Sequence, residues 1–255
     1  MGQTTDDSLW IKLEGGNSNN VFRQGDLVRR DRGQQSAATD ALLTWLAQKS
    51  FDRVPTVVGR SDQFELLSYV PGEPAFRPWN SFIRSSAWMT ELGRWLREYH
   101  DAVRGFELPP GTRFLWGPEA AGPNMLVNHG DLGPWNTLHD GFNLTGVIDW
   151  DLARFGSPLD DLAQIALEAV PLKPSTVDRV GENPPPHLIE RRLDALCSGY
   201  GDIDSGSVRR HTADYLERMA AEVEAHSAIG QQPFVDWVEN GVPSDYRAEA
   251  LFIRG

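Results

Sequence analysis

The 255-residue chain has a single cysteine, few cations for its acids and no long apolar run. Cys197 cannot form an internal disulfide, and its place in an apolar helical pattern with Leu193 and Leu196 reads as a core thiol rather than a nucleophile. No apolar stretch approaches the ~20 residues that cross a bilayer. The opening M-G-Q-T-T-D carries no apolar leader core, and Asp6 stands where a myristoylation signal wants Ser or Thr. Lys and Arg number 24 against 36 Asp and Glu, a net charge of −12. That balance argues against a nucleic-acid partner, whose phosphates need clustered cations. It is compatible with a cationic substrate. The expectation is a cytoplasmic protein with neither membrane nor nucleic-acid partner. With 40% hydrophobic and 24% charged residues, a chain of this length can bury roughly 70–75% of its unfolded surface, as one large domain or two small lobes.

What the chain does have is concentrated between Val127 and Asp151. The segment V-N-H-G-D-L-G-P-W-N-T-L is followed by V-I-D-W-D. Asp140-Gly141 is a strong turn signal, flanked by Thr137 to His139 and by Leu144 to Ile148, so a β-hairpin is expected. Asn136 then lies just before its first strand and Asp149 just after its second, and closing the hairpin brings them together. An amide oxygen and a carboxylate suit Mg²⁺, which takes few protein ligands and completes its shell with water and phosphate. Asp131 lies five residues before Asn136 in a loop with Gly130, Gly133 and Pro134. A carboxylate held there can accept the proton of a hydroxyl as it attacks phosphorus.

H-G-D-L-G-P-W-N followed by I-D-W-D resembles the catalytic and metal-binding segments of the aminoglycoside phosphotransferase family, which is built like the protein kinases and includes choline kinase-like relatives. The resemblance implies an α+β, protein-kinase-like two-lobed fold: a small antiparallel β-sheet N-lobe over about 1–70 and a larger, mainly helical C-lobe over 71–255, with a hinge at about 68–73. It implies Asp131 as base, His129 as support of the catalytic loop, and Asn136 and Asp149 as Mg²⁺ ligands. ATP or GTP would be the phosphoryl donor.

Along the first third, Trp10 to Leu13, Val21 to Arg23 and Leu27 to Arg29 read as strands. The intervening E-G-G-N-S-N-N turn exposes backbone N–H groups to which phosphates can come close. By resemblance Gly16, Asn17 and Ser18 cover the nucleotide. The family's phosphate-gripping lysine is replaced by V-R-R-D, and Arg29 is expected to take the matching register. Asp40, on a helix over about Ala37 to Gln48, stands nearest to the place of the usual glutamate partner. Strands follow at Val54 to Val58 and Phe64 to Val70, and Ser68, Tyr69 and Val70 are implied as the hinge that meets the base. Pro71-Gly72-Glu73-Pro74 is expected to break regular structure.

Beyond it the pattern turns helical. Trp88, Leu92, Trp95, Leu96, Tyr99 and Val103 form one face of a strong amphipathic helix, with His100 near its end as a packing or capping group. Ser157-Pro158-Leu159-Asp160 is a capping box, and by resemblance Asp161 braces the catalytic loop. Four more helices are expected from Leu188 onward. They would form the acceptor pocket, to which Glu168, Asp202, Asp204, Glu217, Glu222 or Trp237 could contribute. The functional expectation is transfer of a γ-phosphoryl group to a hydroxyl of a small molecule, aminoglycoside-like or an amino alcohol. A second expectation, motivated by the altered phosphate grip, is a kinase-fold binding or immunity protein that sequesters a toxin or peptide without turnover. The sequence leaves the oligomeric state open.

Overall fold

Short alternating segments at the amino end pair into one antiparallel sheet. A computed structural model describes residues 10–13, 20–75, 81–173, 184–201 and 203–255. Within them, β1 (Ile11–Lys12), β2 (Val21–Gln24), β3 (Leu27–Asp31), β4 (Val57–Arg60) and β5 (Phe64–Ser68) form a sheet of order β1-β2-β3-β5-β4. Every neighbouring pair is antiparallel, and β3 meets β5 with Arg29 opposite Leu66 and Arg30 opposite Glu65. The α1 helix (Ser36–Gln48) buries Ala38, Leu42, Leu43 and Leu46. Gly16, Asn17 and Ser18 lie outside the described residues.

The expected break at Pro71–Pro74 is only partly a break. β6 (Glu73–Pro74) pairs with β8 (Thr137–His139), and β8 pairs with β9 (Leu144–Val147). A proline is tolerated there because β6 is the edge of this three-stranded sheet, where no N–H is demanded of it. The hairpin read around Asp140-Gly141 is therefore present, with Thr137 opposite Val147. A second ribbon joins β7 (Leu126–Asn128) to β10 (Arg154–Gly156).

The remainder is helical among the described residues: α2 (Ser86–Ala102), α3 (Pro158–Glu168), α4 (Pro186–Gly201), α5 (Ser205–Ala228), α6 (Phe234–Glu239) and α7 (Val242–Arg254). The Ser85 hydroxyl caps α2 by accepting from the Trp88 N–H. Its apolar face buries Met89, Leu92 and Leu96, each stabilising by roughly 1.5–3 kcal/mol. Gly93 lets α2 approach α4 backbone to backbone, since a Cβ there would collide with the Leu196 carbonyl. From α2 an aromatic column runs toward the motif: Trp95 stacks on Tyr99 at 5.5 Å, Tyr99 meets Trp150 edge-on at 5.1 Å, and Trp150 meets His129 at 4.4 Å. The Tyr99 hydroxyl donates to the Val127 carbonyl at 2.8 Å. The strand that feeds the motif is thus fastened to α2 within the core. No helix among the described residues is long and apolar enough to cross a membrane.

Candidate active site

The loop after β7 turns sharply at Gly130, whose φ is +81°. A side chain there would run into the Leu152 carbonyl, so only glycine lets the two segments of the motif touch. The loop backbone is held from α3. Asp161 accepts the His129 N–H at 3.0 Å on one oxygen and the Gly130 N–H at 3.2 Å on the other. The first oxygen also meets His100 Nε2 at 3.2 Å, and His100 Nδ1 lies 2.8 Å from the Tyr200 hydroxyl. Burial works against the Asp161 charge, but the bonds from His100 and the loop amide hold its carboxyl below the ordinary range. Asp161 and His100 are both essentially without solvent contact. The bracing expected of Asp161 is present, and His100, expected only to pack or cap, is its direct partner.

His129 is buried beneath the loop. Its Nε2 donates to the Ile148 carbonyl at 3.1 Å, which leaves Nδ1 to accept the Asp131 N–H at 3.2 Å. That pair of bonds requires the neutral ring, and burial depresses its pKa to about 4 against the pull of Asp161. His129 therefore ties the loop together as a neutral ring.

Asp131 sits at the loop's open side. One carboxylate oxygen accepts from Asn136 Nδ2 at 2.8 Å and from Trp135 Nε1 at 3.3 Å. Burial is the main cause that lifts its pKa to about 6. Asp149 and Glu168 add to the rise, and the bonds from Trp135 and Asn136 oppose it. A partly buried carboxylate that still ionises near neutrality is a suitable proton acceptor.

Asn136 closes a 3₁₀ turn over Pro134–Asn136. Its amide nitrogen also donates to the Asp131 carbonyl at 2.9 Å, so the amide oxygen is the end left for a cation. The Ile148 N–H donates to the Asn136 carbonyl at 3.0 Å and ties the end of β9 to this turn. The next residue, Asp149, has φ +63°, an unusual conformation for a residue with a side chain. It leaves the Asp149 side chain 49% exposed beside the loop. Crowding by surrounding protein and the charge of Asp151 raise its pKa, with Arg30 opposing. One amide oxygen and one carboxylate fit the modest protein share of a Mg²⁺ shell. No group of three or more His, Cys, Asp or Glu is arranged for a metal among the described residues.

The cation facing this carboxylate is Arg30, not Arg29. Arg30 Nη1 is 3.6 Å from Asp149 Oδ1, its Nη2 pairs with Asp151, and its Nε pairs with Glu65. Burial opposes the Arg30 charge, but these three acids more than offset it and raise its pKa. Arg29 points through the other face of the sheet, stacked near Trp10, Phe22 and Phe64 at 4.8, 5.4 and 5.9 Å. Adjacent strand residues face opposite ways, so a one-residue shift in register exchanges the two arginines. Asp40 does not serve as partner to either. It accepts from Arg32 at 2.9 Å and Arg60 at 3.4 Å, and the role expected of it falls to Glu65 on the neighbouring strand.

At Ser68 to Val70, expected from sequence to meet the base, the N–H groups of Ser68 and Tyr69 are already used, by Thr56 O at 2.9 Å and Asp26 O at 2.8 Å. Arg23 lies 3.4 Å over the Tyr69 ring, and Val70 is buried against Gly146. A cavity of about 560 Å³ opens elsewhere, between α1 and residues 106–112, and includes none of the loop residues.

A model of the phosphotransferase enzyme family matches residues 10–121 and 107–206. The chain belongs to that family. Its fold is kinase-like: a macrolide 2′-phosphotransferase from Brachybacterium faecium superposes with a TM-score of 0.62, covering 94% of this chain and 93% of the other at 19% identity. A choline/ethanolamine kinase family protein from Mesorhizobium loti gives 0.60 at 16% identity, covering 96% and 87%. The GDP complex of an aminoglycoside 2′-phosphotransferase-IIIa gives 0.62 at 17% identity, covering 95% and 94%. A curated relative, the trifolitoxin immunity protein of Rhizobium leguminosarum bv. trifolii, is 32% identical over 152 residues, 56% of this chain. The match spans about half of that relative's length, 55%.

Proposed function

We propose that the protein transfers the γ-phosphoryl group of ATP or GTP to a hydroxyl of a small molecule. The observation that carries this reading is the Asp131 carboxylate, poised at about 6 and bonded at 2.8 Å to Asn136, whose backbone carbonyl accepts at 3.0 Å from the N–H of Ile148, the residue before Asp149. The acceptor hydroxyl oxygen bonds to the γ-phosphorus, and the bond from that phosphorus to the β–γ bridging oxygen breaks. The hydroxyl proton passes to Asp131, and the nucleoside diphosphate leaves. Asn136 Oδ1 and Asp149 would hold Mg²⁺, which when bound neutralises charge on the phosphates. Arg30 would add a fixed positive charge beside them. The turn bearing Gly16, Asn17 and Ser18 would cover the phosphates, and the backbone around Ser68 to Val70 would meet the base. The working boundary between the lobes is then residues 68–73, with 1–70 binding nucleotide and 71–255 supplying the catalytic loop and acceptor ground. Asp131→Ala tests the reading: phosphoryl transfer is lost while the fold and nucleotide binding persist. An active alanine variant removes Asp131 as base.

A second reading is favoured by the immunity protein similar to half of this chain. Here the fold sequesters a toxin or peptide without turnover. Nucleotide binding separates the two readings, because sequestration does not require the Asn136 and Asp149 pair.

A further inference from the structure

Glu168 ends α3, seven residues after Asp161. That spacing returns it to the same helix face about 10 Å along the axis. Asp161 holds the catalytic-loop backbone, and the charge of Glu168, on the same helix, bears on Asp131. Tyr246 on α7 lies within electrostatic reach of Asp131, Glu168 and Glu249 together. Glu168 and Glu249 thus belong to the electrostatic surroundings that Tyr246 shares with Asp131.

These acids are not left open. Lys173 Nζ is 2.6 Å from Glu168 Oε1 and 3.8 Å from Glu249 Oε2, and the three side chains keep only 7%, 12% and 11% of their surface exposed. An enclosed ammonium is costly unless paired, and so is an enclosed carboxylate. Here each compensates the other, and the ammonium stands where a cationic ligand would otherwise find its counter-ions.

Resting on the phosphotransfer reading above, we propose that Lys173 is a specificity-determining residue. It supplies from within the chain the positive charge that matches Glu168, whose own charge bears on Asp131, so the acceptor hydroxyl arrives on a neutral or singly charged molecule and not on a polycation. A polycation meets acids that are already matched, together with a buried ammonium of like sign.

Calorimetric titration of the full chain with kanamycin, an aminoglycoside polycation, tests this for the wild type, K173M and K173Q. K173Q keeps a hydrogen-bond donor for Glu168 and covers the case in which K173M does not fold. The neutral variants are expected to bind kanamycin at least tenfold more tightly than the wild type, and adding E168Q is expected to remove the gain. Nucleotide consumption by the wild type is expected with uncharged polyols and not with kanamycin. Wild-type affinity for kanamycin equal to that of K173Q, or kanamycin-dependent turnover by the wild type, overturns the proposal. Mg²⁺-ATP binding is measured on the same samples. Its absence counts against phosphotransfer, while the kanamycin comparison between wild type and variants is read independently.

Discussion

Asp131 carries a cost in the folded chain. Its carboxyl is lifted from 3.8 to about 6, chiefly by burial. Between these values the folded state binds more protons than the unfolded chain, so stability falls as pH rises through that window and stays lower above it. That rise corresponds to about 3 kcal/mol at most, and solvent reaching the partly open side chain reduces this. Asp131→Asn is therefore expected to abolish transfer while stabilising the protein at pH 7 by roughly 1–3 kcal/mol. Denaturant unfolding at pH 7 and pH 4.5 checks it: the gain should shrink at the lower pH, and a variant less stable than wild type at pH 7 contradicts the assigned environment. Catalysis depends on the same group with the opposite sense. The base is competent only when ionised, so the turnover rate should rise tenfold per pH unit below about 6 and level off above it. A rate independent of pH between 5 and 8 would sink Asp131 as base.

At the scale of an element, β3 decides which arginine faces Asp149. Arg30→Ala removes a charge that faces Asp149 and leaves the buried Glu65 without its partner. It should weaken nucleotide binding at least tenfold and cost roughly 3–5 kcal/mol of stability. Arg29→Ala loses stacking on an outer face and should leave nucleotide affinity unchanged. Titrations that show the reverse order restore the register expected from sequence. Alternation along V-R-R-D makes it legible that the two arginines face opposite ways. Which face looks into the cleft depends on how β5 pairs and where the C-terminal part docks, and neither is written in the strand itself. Glu65 was hidden for the same reason, because it reaches Arg30 by a cross-strand pairing 35 residues away. The hairpin was legible because Asp140-Gly141 and the flanking β-branched residues act locally, and so was the Ser157 capping box that opens α3. The brace from α3 to the loop is the corresponding long-range feature. The pKa of Asp161 is depressed, so its stabilising contribution is present above the unfolded carboxyl's pKa and is lost as pH falls through the lower folded value. Asp161→Ala should cost roughly 3–5 kcal/mol and depress turnover as the loop loosens; unchanged melting and turnover would show that the loop holds itself.

For the whole molecule, nucleotide binding is what separates the two proposed functions, since both use the same fold. The chain has a net charge of −12, and a triphosphate brought to Asp131, Asp149 and Asp151 is repelled unless cations intervene. Arg30 is already shared among Glu65, Asp149 and Asp151, so it does not balance a triphosphate alone. Nucleotide binding is therefore expected to require a divalent cation. A ligand at 100 times its Kd stabilises a folded protein by about 2.7 kcal/mol, which for a chain of this size raises the melting temperature by roughly 5–10 °C. Mg²⁺-ATP or Mg²⁺-GTP at saturating concentration should produce that rise, chelation of Mg²⁺ should cancel it, and Asp149→Ala should abolish it. A shift that survives chelation removes Asn136 and Asp149 as metal ligands. No shift with either nucleotide at millimolar concentration favours the sequestering reading, because a phosphotransferase must hold its donor whereas an immunity protein of the same fold need hold only its toxin.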